Sequence, residues 1–140
     1  MNIRPATRGD IDAVLAFWRV ATTVESSTDD PGGIAALLDF DAEALLVAVA
    51  ADGEVVGTVI GGWDGWRGTM YRLAVHPRER RQGIASLLVA EAERRLVTRG
   101  ARRLHLIVVE DEPDAAGFWR AMGYAPTEQT RFVKTLSHGR

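Results

Sequence analysis

The apolar residues of this chain recur with a period of two in some stretches and of 3.6 in others, and the alternation divides the chain into elements. Ile3 to Ala6 predicts a first short strand, after which Asp10 caps a helix whose residues Ile11, Val14, Leu15 and Trp18 recur at helical spacing, to about Val24. Ser26 to Gly33 is rich in turn formers and reads as an exposed, mobile loop, and Ile34 to Phe40 predicts a second, small helix. Leu45 to Ala51 and Val55 to Trp63, joined at Asp52-Gly53, form an antiparallel hairpin, and a second turn at Asp64-Gly65 leads into a strand over Thr69 to His76. From Gly83 to Arg99, residues Ile84, Leu87, Leu88, Ala92 and Leu96 make one helical stripe flanked by a Glu91/Arg95 pair, and Gly100 ends the helix.

Leu104 to Val109 is nearly continuously apolar, as suits a strand buried on both faces and parallel to the one before the helix, which makes a right-handed βαβ unit. A last helix begins at Glu112 or Pro113, carries Phe118, Trp119 and Met122, and stops at Gly123; Arg131 to Leu136 reads as a closing strand. The resulting order, β-α-α-β-β-β-α-β-α-β, has three consecutive strands in its middle, which neither a Rossmann nor a P-loop arrangement has. No repeat, low-complexity tract or Pro/Gly/Ser linker divides the sequence, so residues 1–140 read as a single domain.

Composition narrows the chemistry. Hydrophobic residues are 46% and charged residues 26% of 140 residues, as in ordinary globular domains. The absence of cysteine excludes disulfide frameworks, thiolate catalysis and cysteine-ligated metals. His76, His105 and His138 show no metal-ligand spacing, so no metal is assigned. His76 is held extended by Pro77, and His105, opposite Leu104, Leu106 and Val108, reads as packed or capped. No apolar run approaches a spanning helix and the start lacks a signal-peptide core, so the expected location is cytoplasmic, without a membrane partner. The net charge of −2 argues against a general nucleic-acid binder. Yet 16 of the 17 basic residues are arginine, and eight of these lie between Arg78 and Arg103.

Part of that arginine density sits in one segment, Leu73 to Leu88. An apolar strand runs into a proline-terminated turn, passes Arg78, Arg80 and Arg81, and enters a helix through Gly83 and Ala85. A helix start leaves its first four N–H groups without intrahelical partners and adds about half a positive charge, so phosphate is favoured there. Gly83 lets a ligand approach the backbone, and the guanidinium fork suits phosphate oxygens. A solvated basic turn is the competing reading.

The spacing Arg80-x-x-Gly83-x-Ala85 resembles the pyrophosphate-binding signature of the GNAT superfamily of N-acetyltransferases. A second segment, Ala115-x-x-Phe118-Trp119-x-x-x-Gly123-Tyr124, is similar to that family's Asn-x-x-Ala-x-x-Phe-Tyr-x-x-x-Gly-Phe motif. Both lie in the family's order and at its distance, and the resemblance extends over essentially the whole chain, most closely to small stand-alone bacterial members. It implies an α/β fold of mixed α+β type: a mostly antiparallel mixed sheet with a splayed parallel strand pair, flanked by helices. It implies acetyl-CoA in the splay, with the backbone of Leu73, Ala74 and Val75 on the pantetheine arm and the thioester carbonyl. Leu73 and Val75 then supply the oxyanion contact. Arg81, Gln82, Gly83, Ile84, Ala85 and Ser86 surround the pyrophosphate, with Arg80 or Arg78 near the adenosine phosphates.

The departures from the pattern bear on proton transfer. Trp119 stands where relatives hold a tyrosine; an indole donates a hydrogen bond but gives up no proton near neutrality, so CoA would leave as a thiolate and be protonated by water. Trp119 reads either as a core aromatic or as a lining of the thiol pocket. The glutamates that serve as base in relatives fall on Thr69 and Ile107. Glu112 replaces the motif's asparagine and retains only acceptor function toward the pantetheine. Glu110 is the first choice of base, with Asp111, Asp64, Glu25, Asp29 and Asp30 as alternatives. Trp63, Trp66 and Arg67 form a wall of the acceptor site or pair across strands.

The implied activity is transfer of acetyl from acetyl-CoA to a primary amine, of a small molecule or a peptide, by direct attack in a ternary complex. A non-catalytic acyl-CoA-binding module and a nucleic-acid binder are the alternatives. The oligomeric state is a monomer or a homodimer, the latter through the final strand.

Overall fold

The computed structural model describes residues 1–22, 26–108 and 115–136. It divides into two compact units, Met1–Ile107 and Val108–Arg140. In the first, the strands β1 (Asn2–Pro5), β2 (Leu45–Val49), β3 (Val55–Trp63), β4 (Gly68–Val75) and β5 (Leu104–Leu106) form one sheet in the order β1-β2-β3-β4-β5. The first four are antiparallel to their neighbours, and β5 runs parallel to β4. The helices are α1 (Ile11–Ala21), α2 (Pro31–Phe40) and α3 (Ile84–Arg99).

Val14, Leu15, Phe17 and Trp18 of α1 and Ile34 and Leu38 of α2 make one buried cluster with Leu45, Val47, Val55 and Ala74 of the sheet. On the other face, α3 lies close to the strands because glycines leave room for it. A Cβ on Gly57 would stand 2.9 Å from Leu88 Cδ1, and one on Gly61 3.3 Å from Leu96 Cδ1. This close seating fixes where α3 begins relative to the end of β4, the position on which the site depends.

Several boundaries differ from the sequence expectation for identifiable reasons. Asp10 does not cap α1. A single 3₁₀ turn, Arg8–Asp10, precedes the helix, and the Asp10 carboxylate accepts from the Thr7 N–H at 2.8 Å and from both Arg4 nitrogens. The helix α2 begins at Pro31, within the stretch read as loop, because Asp30 accepts the Gly33 N–H at 2.7 Å and proline is pre-set for the first helical position. β5 is shorter than Leu104–Val109, and His105 is exposed, so the strand is not buried on both faces. It is the last strand of the sheet order, and one side of it has no strand neighbour among the described residues. Arg131–Leu136 forms no strand; Phe132, Val133 and Leu136 are exposed, and no partner strand satisfies their backbone among the described residues.

In the second unit, α4 spans Ala115–Ala121 and ends at Gly123, which takes a φ of +96°. The expected start at Glu112 or Pro113 lies outside the described residues. Trp119 is buried, with Phe118 and Tyr124 packed edge-on against its indole at 5.2 and 5.1 Å between ring centroids.

Candidate active site at the β4–α3 junction

β4 holds one residue more than β3 can match. Thr58 pairs with Ala74 and Ile60 with Tyr71, so Arg72 and Leu73 together oppose Val59. Arg72 takes a φ of +52°, which a non-glycine residue adopts at a cost of about 1 kcal/mol or more. A chain of hydrogen bonds holds it there. The Trp18 indole N–H donates to Thr58 Oγ1 at 2.9 Å, and that hydroxyl donates to the Arg72 carbonyl at 2.8 Å. Trp18 and Thr58 are buried, so the chain is sheltered from water. The Arg72 guanidinium pairs with Asp29 and lies 5.3 Å from the Trp18 ring centroid, fixing the bulge from its other side.

Below the bulge β4 is paired with β5, and above it is not. The parallel register covers Gly68↔Leu104, Thr69↔His105 and Met70↔Leu106 and then stops. From Tyr71 to Val75 that edge of β4 has no strand neighbour among the described residues. The His76 N–H donates to Val56 O at 2.8 Å on the β3 side, so strand alternation turns the N–H and C=O of Val75 toward the open edge. Ala74 is buried and Leu73 and Val75 are half-buried. The β4–β5 pairing thus stops at Met70↔Leu106, just before the bulged residues Arg72 and Leu73, where the resemblance implied a splay.

The chain then passes Pro77–Glu79, a 3₁₀ turn in which His76 Nδ1 accepts the Arg78 N–H at 3.3 Å, and reaches the start of α3. Arg81 and Gly83 take positive φ values of 69° and 80°. Changes of hand in successive residues turn their N–H groups inward and make an anion-binding concavity. A Cβ on Gly83 would meet nothing within 4 Å, so the space before the helix is open. The first intrahelical bond of this end is Leu87 N–H to Gly83 O at 3.1 Å, which leaves the N–H groups of Ile84, Ala85 and Ser86 directed out of the helix. Arg81, Gln82, Gly83 and Ser86 are exposed, while Ile84 is buried and Ala85 half-buried. Arg80 donates to the carbonyl of Ala21, at the end of α1, at 3.4 Å.

Four of the eight arginines between residues 78 and 103 are held in ion pairs. Arg78 pairs with Glu54, Arg94 and Arg95 with Glu91, Arg95 also with Glu43, and Arg99 with Asp41. Arg81 forms no ion pair among the described residues.

Several of the candidate bases are engaged in local hydrogen bonds and ion pairs. Asp64 accepts the N–H groups of Arg67 and Trp66 at 2.7 and 2.8 Å, and these bonds, that of Arg67 foremost, hold its carboxyl below the ordinary range. Asp30 is occupied as the cap of α2, and Asp29 by Arg72 and the Ser26 N–H. Glu110, Glu112, Asp111 and Glu25 lie outside the described residues. Trp66 is exposed and carries the Arg67 guanidinium 4.1 Å above its ring. His105 is not packed: Thr69 Oγ1 lies 2.7 Å from its Nε2 on an exposed surface. Sequence reasoning missed this pair and the Trp18–Thr58–Arg72 chain, whose only traces were a threonine within an apolar strand and an arginine within the next.

The sequence profile described as the acetyltransferase (GNAT) family matches residues 12–124. An acetyltransferase of Pectobacterium atrosepticum is 35% identical over 140 residues, covering 100% of this chain and 99% of that protein. Among solved structures, Ard1 from Thermoplasma volcanium aligns with a TM-score of 0.80 and 24% identity, over 90% of this chain and 83% of that one. The PaiA N-acetyltransferase of Thermoplasma acidophilum, crystallised in complex with coenzyme A, aligns with a TM-score of 0.79 and 16% identity, over 92% of each chain.

Proposed function

Given that this chain belongs to the GNAT family of acetyltransferases, we propose that it moves the acetyl group of acetyl-CoA to a primary amine by direct attack in a ternary complex. The observation that carries the reading is the junction of a bulged, half-unpaired β4 with a helix that starts at a left-handed, uncovered Gly83. The pyrophosphate would rest on the N–H groups from Arg81 to Ser86, at the positive end of α3, with Arg80 beside it. The pantetheine arm would run beside the free edge of Leu73, Ala74 and Val75 as an added strand.

Acetyl-CoA brings an electrophilic thioester and a stable leaving group. The backbone N–H groups of Leu73 and Val75 would face the oxygen on which charge develops; being fixed in the strand, they need no reorganisation as it forms. No protein nucleophile is required, which agrees with a chain that has no cysteine. Trp119 offers no acid proton near neutrality, so the thiolate takes its proton from water. Among the described residues no helix is long and apolar enough to cross a membrane, and a cytoplasmic location suits an enzyme that draws on the acetyl-CoA pool. We read both units as parts of one transferase domain, and the acceptor as a small-molecule or peptide amine.

Release of free CoA from acetyl-CoA, followed with a thiol reagent across a panel of small amines, amino acids and peptide N-termini, tests the reading. Saturable release with at least one primary amine supports it. Binding of CoA without turnover on any of them contradicts it.

A further inference from the structure

The parallel ladder between β4 and β5 ends at Met70↔Leu106, and the rung just inside that end is Thr69↔His105. Its side chains meet on the face of the sheet opposite α3. There Thr69 Oγ1 and His105 Nε2 are 2.7 Å apart, beside the exposed side chains of Tyr71 and Ile107. The pair therefore lies one rung before the edge of β4 becomes unpaired, the edge along which the site described above would hold the acyl arm. Thr69 precedes Leu73 by about 13 Å along the strand at 3.3 Å per residue.

A hydroxyl bonded to an imidazole is a proton relay, and a transferase acting on amines needs one. Amines with a pKa near 10 are almost wholly protonated at neutral pH and have no lone pair for attack. We propose that His105, acting through the Thr69 hydroxyl, takes the proton from the acceptor ammonium. The inference rests on the transferase reading.

In the tautomer protonated at Nδ1, His105 Nε2 accepts the Thr69 hydroxyl hydrogen. As the ammonium approaches, it gives one proton to the Thr69 oxygen while the hydroxyl proton passes to Nε2, leaving a neutral amine and an imidazolium. The amine nitrogen then bonds to the thioester carbon, and the carbon–sulfur bond breaks. The second nitrogen proton leaves to water, the thiolate takes one from water, and the imidazolium returns its proton to solvent. The sum is amide, CoA thiol and one released proton. The neutralisation precedes attack, so the relay need not touch the carbonyl.

Asp64, from the turn between β3 and β4, and Tyr71, on the same face of β4, are the titratable side chains near the pair. No carboxylate is asked to serve as base.

The test is the pH dependence of kcat/KM from 5.5 to 10, using acetyl-CoA and the best amine of the panel, for the natural chain and for His105→Gln, Thr69→Val and Thr69→Ser. CoA affinity is measured in parallel by calorimetry. The natural chain should show an acidic limb in addition to the amine's own titration. His105→Gln keeps a hydrogen-bonding partner for Thr69 but should lose that limb, lose more than tenfold in rate below pH 8, and follow the amine's own titration. Its CoA affinity should be unchanged. Thr69→Val should behave likewise and Thr69→Ser should retain the natural limb. An unmoved limb in His105→Gln overturns the relay and leaves the transferase intact. No CoA release by the natural chain with any amine overturns the transferase reading, and the relay with it.

Discussion

The Thr58 hydroxyl donates to the carbonyl of Arg72 at 2.8 Å, fastening β3 to the bulge by which β4 outgrows it. The same oxygen accepts the Trp18 indole N–H at 2.9 Å, so one buried side chain joins α1, β3 and β4. Thr58→Val removes both bonds and strands a buried N–H and a carbonyl. We expect a loss of about 1–3 kcal/mol in urea unfolding. Thr58→Ser keeps the hydroxyl and should lose only the methyl's share, about 1 kcal/mol. Equal losses for the two variants would mean that the hydroxyl does not hold the bulge.

Gly83 should separate binding from folding. The Cβ of a valine there meets nothing within 4 Å, but the residue is forced to a φ near 80°, at a cost of about 1–2 kcal/mol, and stands where the phosphates would lie. Gly83→Val should therefore raise the Kd for CoA more than tenfold. Gly53→Val, at a turn with a φ of +90° and the same empty surroundings, should cost similar stability and leave the CoA Kd alone. Calorimetry on the two variants reads the difference, and an unaltered Kd in Gly83→Val would count against the phosphate site.

The seating of α3 depends on Gly57. A Cβ there would lie 2.9 Å from Leu88 Cδ1, 3.1 Å from Ile84 Cγ2 and 3.4 Å from Ala48 Cβ, all in the buried core. Gly57→Ala should cost about 1–3 kcal/mol and shift the start of α3. Gly62→Ala, whose nearest contact is 3.5 Å, should cost under about 1 kcal/mol. The urea midpoints of the two variants check this, and equal midpoints would contradict it.

Acid should weaken the fold through Asp10 and Glu91. The hydrogen bond from Arg4 lowers the Asp10 carboxyl to about 2, and that from Arg94 lowers Glu91 to about 2. Both folded-state values lie below the unfolded ones, so their stabilisation is complete above about pH 4.5 and is lost as pH falls toward 2. Asp10→Asn should flatten the fall in the urea midpoint between pH 4.5 and 2. A curve parallel to that of the natural chain would show that Asp10 is not linked to folding.

The strands and helices were legible because period-2 and period-3.6 patterns report which face is buried, and that is decided locally. Pro31 as a helix start was legible in principle: Asp30 before proline is a cap followed by a first-turn residue, and the following glycines obscured it. The splay was expected only through resemblance, and the bulge at Arg72 is held by Thr58 and Trp18, 14 and 54 residues away in sequence. No local pattern announces such a bulge. The Thr69–His105 pair was hidden in the same way, since parallel register sets residues 36 apart side by side. Arg131–Leu136 shows the converse, a strand-like composition for which the described residues supply no partner.

The central claim is that the backbone from Arg81 to Ser86 receives the pyrophosphate of CoA. Amide proton and nitrogen shifts followed by NMR during a CoA titration test it residue by residue. The account predicts saturable shifts largest at Gly83, Ile84, Ala85 and Ser86, absent in Gly83→Val. Saturation with those four amides unmoved would contradict it.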